Sequence, residues 1–125
     1  MMEDLREQQK EALLTARDYI GKLLDAVDVV GVELSGEEQE DTKEYLDTIL
    51  KGVNWTIEVL KRTIDYVNEN EELIQKESVN DRMLHFSSVY ESSNRQALNE
   101  ALQSDVKTYL SEFMFAIDTR NSYTS

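Results

Sequence analysis

The chain has no cysteine, no proline and only 4 glycines among its 125 residues. Without cysteine there is no disulfide, no thiol nucleophile and no thiolate metal ligand. With proline absent and glycine scarce, the residues that interrupt helices most strongly are missing or rare. A single histidine supplies too few nitrogen ligands for a zinc or di-iron site. Positive charge is also short: 13 basic residues stand against 26 acidic ones, for a net charge of −13. Such a surface disfavours nucleic acid and anionic membrane as partners, because each phosphate contact needs a cation. No apolar run approaches the length a membrane span requires. The N-terminal MMEDLREQQKEALL lacks the basic-then-apolar order of a signal peptide. The expectation is a soluble, cytoplasmic protein folded as one domain over 1–125.

What the sequence does hold is helical periodicity. In the stretch from Tyr45 to Val67, Leu46, Ile49, Val53, Ile57, Leu60, Ile64 and Val67 recur at steps of three and four, one buried helix face. Trp55, Val59 and Tyr66 form a second apolar stripe, with Tyr45, Gly52, Thr56 and Thr63 between the two. Two stripes call for two neighbours, or for one neighbour and a partner.

Upstream, Leu5, Ala12, Ala16, Tyr19, Leu23, Val27 and Val30 keep a near-heptad step, widened by Leu13, Ile20 and Leu24. Gly31 reads as the C-cap of that helix. Ser35-Gly-Glu-Glu38 reads as a capping box that starts the next one, with acidic residues near its positive end. A second turn falls between Asn70 and Asn80, with Ser78 as a cap. In the last third, Val79, Met83, Phe86 and Tyr90 share one face, while Val106, Tyr109, Phe113 and Ile117 share another. Either one helix changes neighbours along its length, or two helices meet near Ser92–Asn94, where Ser93-x-x-Gln96 is another capping box. The lack of glycine and proline favours the continuous helix. The expected fold is all-α, an elongated antiparallel three-helix bundle with helices over about 3–30, 37–75 and 79–119 and a frayed tail. A break in the third helix makes it four.

Little of this carries chemistry. Asp81 lies one turn before His85, a pairing that reads as a surface histidine beside a carboxylate. The run Glu37, Glu38, Glu40, Asp41, Glu44, Asp47 lacks the loop that wraps calcium, so it reads as a solvated face. Gly21, Gly31, Gly36 and Gly52 form no phosphate-binding motif. Ser87, Ser88, Ser92 and Ser93 sit in polar, cap-like segments with no positioned base. The expectation is therefore no enzyme, no cofactor and no metal.

Two features point outward. One is the stripe of Trp55, Val59 and Tyr66. The other is the run around Tyr109, Phe113, Met114 and Phe115, whose side chains point all round the helix and cannot all enter one small core. Aromatic and methionine side chains are the types that carry interface energy. In size, acidity and helical layout the chain resembles small bacterial secretion and flagellar export chaperones, a likeness of architecture that no motif carries. That likeness implies an adaptor or export-chaperone-like role. The expected function is a non-enzymatic protein–protein interaction module that binds another protein or a second copy of itself. The alternatives are a structural bundle that dimerises along its length, and an acidic nucleic-acid mimic bound to a basic protein.

Overall fold

The structure, a computed structural model, describes residues 2–36, 40–91 and 94–123. The described residues are 88% helical, and no strand occurs among them. Helix α1 (Met2–Ser35) buries Leu13, Ala16, Ile20, Leu23, Val27, Val30 and Leu34. Their steps alternate strictly between three and four, a heptad seam. Ala12 sits at its edge, and Tyr19 and Leu5 are exposed, so the seam is rotated slightly from the expected one.

Gly31 does not end α1. The helix continues to Ser35, and Gly31 is buried where the last helix crosses: a Cβ there would stand 2.6 Å from Gln103 Nε2 and 3.2 Å from Asn99 Oδ1. Small size, not a left-handed backbone, is what this position needs. Ser35 is the last residue of α1 and its hydroxyl donates back to the Val32 carbonyl at 3.1 Å, so it caps no following helix. Glu38 lies outside the described residues. The free carbonyls at this helix end are taken by Arg95, whose Nη2 donates to Leu34 O at 3.1 Å and Gly36 O at 2.7 Å.

Helix α2 (Thr42–Val67) takes in the whole periodic stretch but is shorter than the expected span of 37–75. Asn68 stops it: its Oδ1 accepts from the backbone N–H of Leu73 (2.9 Å) and Ile74 (3.2 Å), and its Nδ2 donates to Ile74 O (2.9 Å). This side-chain turn competes with continued helix. Helix α3 (Lys76–Tyr90) is capped by extended Gln75; Ser78 lies inside it and donates to the Gln75 side chain at 3.2 Å.

The final third is not one helix. Asn94 caps α4 (Arg95–Ala101) by accepting from the Ala97 N–H at 3.0 Å. Ser93, the expected cap, lies outside the described residues. From α4 the backbone runs through a π-helical turn (Leu102–Val106) into α5 (Lys107–Ser122) without interruption. These three segments act as the fourth helix. The tail is ordered further than expected, since α5 reaches Ser122 and Arg120 is buried.

The bundle is therefore four helices in up-down-up-down order. Contacts of Arg6 with Glu69, and of Thr42 with Glu33, set α1 antiparallel to α2. Lys107 with Asp28, and Arg17 with Asp118, do the same for α1 and α5. Helices α1, α2 and α5 pack closely on one another, and α3 docks on α4 and the π turn. The α2 and α3 backbones, although consecutive, barely approach each other.

Candidate partner groove

The gap between α2 and α3 is a trough of about 910 Å³. Leu60 and Val79, both nearly inaccessible, lie at its bottom, with half-buried Ile57 and Met83 above them. A smaller hollow of about 220 Å³ continues it past Asn54 and Met83 towards Val53, Phe86 and Tyr90. There the Tyr90 hydroxyl donates to Asp47 Oδ1 at 2.5 Å and ties the two helices together. That bond to a carboxylate, more than partial burial, raises the Tyr90 phenol above its usual range. At the other end the Asn68 turn joins α2 to α3.

The trough exists because of what α3 lacks. Helix α2 buries Leu46, Ile49, Val53, Val59, Leu60, Tyr66 and Val67, while α3 fully buries only Val79 and Phe86. On its other side α3 is held by polar contacts: Arg82 Nη1 donates to Ser104 O, and its Nη2 pairs with Glu112 at 3.3 Å. His85 Nδ1 meets Asp105 Oδ2 at 2.5 Å. The π turn presents that carboxylate, which is itself buried. His85 thus pairs across the bundle with Asp105 and not with Asp81.

The expected surface residues separate sharply. Tyr109 and Phe113 are wholly buried and stack at 6.2 Å between ring centres. Val59 and Tyr66 are buried as well, because α2 faces both α1 and α5. None of these four offers surface to a partner. Met114 is half-buried against the Gly21 stretch of α1. Phe115 is 67% exposed, but its surroundings (Gln103, Lys107, Thr108, Ser111 and Glu112) are polar. An isolated exposed apolar residue of this kind is ordinary. Trp55 is 42% exposed, stands edge-on to Tyr19 at 5.3 Å, and forms part of the trough wall. Both outward features border a hollow: Phe115 one of about 440 Å³ whose other lining residues are polar, and Trp55 the trough of about 910 Å³ floored by Leu60 and Val79.

Ile57, Val79 and Met83 belong to the trough but were read from the sequence as helix faces, since periodicity shows which side is apolar and not whether the neighbour closes on it. No three carboxylate or imidazole groups converge among the described residues as they would round a metal ion. No helix among them is long and apolar enough to cross a membrane.

Residues 11–114 match the family described as Domain of unknown function (DUF8042). The chain belongs to that family. The match begins within α1 and ends within α5, so it takes in both walls of the trough and the π turn. No curated protein and no solved structure matches the chain.

Proposed function

We propose that this protein is a non-enzymatic helical interaction module whose working surface is the trough between α2 and α3, where it receives an apolar segment of another protein. The observation that carries this reading is the separation of two consecutive helices over an apolar floor, with the only tryptophan at the rim. Elsewhere among the described residues most large apolar side chains are buried, and the exposed ones are spread over the helices, with Val29 and Val32 one turn apart on α1. Helix pairs that part over apolar side chains are a recurrent way of taking in a linear apolar segment. The one histidine is turned to Asp105, outside the trough. An adaptor or export-chaperone-like role is one instance of this class.

The test compares proteins captured from the native cell by the wild-type chain and by Ile57→Glu and Met83→Glu, with circular dichroism to confirm retained helicity. Both side chains are half-buried, so a charge can turn to water while spoiling the trough. A partner held by the wild type and lost by both folded variants supports the module. An identical set of captured proteins sinks it.

A further inference from the structure

Resting on that reading, we infer that the occupant of the trough is an amphipathic helix of a different protein whose apolar stripe is flanked by carboxylates. Three observations lead there. The first is shape. A trough fills in a two-fold dimer only where each copy also offers it a protruding apolar segment, and among the described residues every exposed large apolar side chain but Tyr123 sits on a helix of the bundle itself. Two copies carrying −13 each also repel.

The second is length. Lys51 and Lys61 lie ten residues apart on α2, so the trough runs for about 15 Å, roughly three turns of helix. The third is charge. In a chain with twice as many acidic as basic residues, the main trough is bordered by three lysines and two glutamates. Lys61 is paired with Glu58 at 3.7 Å, whereas Lys51 on the α2 wall and Lys76 on the α3 wall have no ion pair among the described residues. Glu77 lies in the first turn of α3, where the helix terminus offsets its charge.

Lys51 stands towards the Tyr90 end and Lys76 at the start of α3, beside the turn. A helix lying between them meets both with carboxylates about ten residues apart. At 100° per residue those two positions are about 80° apart on its surface, on opposite sides of one narrow apolar stripe. The occupant's pattern is thus an acidic residue, apolar residues three and seven positions on, and a second acidic residue at about the tenth.

The experiment uses the full chain and three designed helical peptides that share one apolar stripe and differ only in flanking Glu, Gln or Lys. Trp55 fluorescence reports occupancy, because this sole tryptophan lines the trough. The Glu-flanked peptide is expected to bind about fivefold more tightly than the Gln-flanked one, the factor for two exposed ion pairs. The preference is expected to shrink with salt and to reverse in the Lys51→Glu, Lys76→Glu double variant. Equal binding, or tighter binding of the Lys-flanked peptide, overturns the acidic flank while leaving the trough as the working surface. If no peptide binds, yet a native partner is still lost on Met83→Glu, the helical occupant is overturned and the module stands. A concentration-dependent dimer that excludes the peptides, seen by light scattering, overturns the heterologous partner.

Discussion

The Tyr109 hydroxyl lies 2.9 Å from Thr56 Oγ1 in the closed centre of the bundle, where it joins α5 to α2. Thr56 in turn donates to the Val53 carbonyl at 2.7 Å, so it accepts the proton of Tyr109. Burial holds the Tyr109 phenol well above its ordinary pKa of 10.0, with the Thr56 hydroxyl acting weakly the other way.

Two consequences follow for stability. Thr56→Val strands a buried hydroxyl and is expected to cost about 1–3 kcal/mol, Tyr109→Phe only about 1 kcal/mol, and the double variant less than the sum. The phenol keeps its proton in the folded chain and loses it near pH 10 in the unfolded one. Its contribution is therefore complete below about pH 10 and declines above it, by roughly 1.4 kcal/mol per pH unit. Urea unfolding from pH 8 to 11 is expected to show that decline, and Tyr109→Phe to reduce its slope.

Three glycines in helices are expected to respond differently to alanine. At Gly52 a Cβ would stand 2.5 Å from Tyr19 Oη and 2.9 Å from Leu23 Cδ2, and the Tyr19 ring is itself held against Trp55. Gly52→Ala is expected to lose about 1–3 kcal/mol despite better helix propensity. At Gly21 the nearest atom is Met114 Cε at 3.9 Å, an ordinary contact. Gly21→Ala is expected to gain about 0.5–1 kcal/mol. Gly31→Ala falls between them, since the end of the Gln103 side chain can swing aside. Thermal melts of the three variants rank them.

Arg120 is buried and does three things at once. It donates to Tyr66 O at 2.7 Å, pairs with Glu69 at 3.0 Å, and lies 4.0 Å from the centre of the Tyr66 ring. Glu69 also receives Arg6, whose hydrogen bond is the leading cause of its lowered pKa. Arg120→Met leaves the Tyr66 carbonyl only the longer bond from the Glu69 N–H at 3.3 Å, removes the buried partner of Glu69, and is expected to cost about 1–3 kcal/mol. Arg120→Lys is expected to recover less than half of that, because an ammonium lacks the planar fork that reaches both acceptors. Chemical denaturation of both variants is the measurement.

With 26 acidic and 13 basic residues, self-repulsion outweighs the scattered interhelical ion pairs. The melting temperature is expected to rise between roughly 10 and 150 mM salt, as the screening length falls from about 30 to about 8 Å. A flat or falling trend in calorimetry would contradict this.

The all-α class and the core face of α2 were legible because period-3.6 patterning survives any choice of neighbour: Leu46, Ile49, Val53, Leu60 and Val67 are buried as read. The ends of helices were less so. Gly31 and Ser35 look like caps in one dimension, but α1 is extended past Gly31 as far as Ser35 by packing against α4 and by Arg95 on its terminal carbonyls. The change of face between Val79–Tyr90 and Val106–Ile117 was visible; its cause, a helix start at Asn94 followed by a π turn, has no glycine or proline to mark it. For the partner surface, sequence separated Trp55 from the core stripe and set Phe115 off the face shared by Tyr109 and Phe113, but did not say which of those faces is covered. The tertiary arrangement covers the Tyr109 and Phe113 face and leaves Phe115 to water.

Because α3 rests on two fully buried apolar side chains and a polar seam, the molecule has an uneven energy landscape. Helices α1, α2 and α5 share one continuous core, whereas α3 opens at the expense of few apolar contacts. In native-state hydrogen exchange the amides of 80–90 are therefore expected to exchange by partial opening, well before those of 50–66, which wait for global unfolding. The element most easily released is also one wall of the trough, so an incoming segment meets a scaffold with three fixed members and one that can yield.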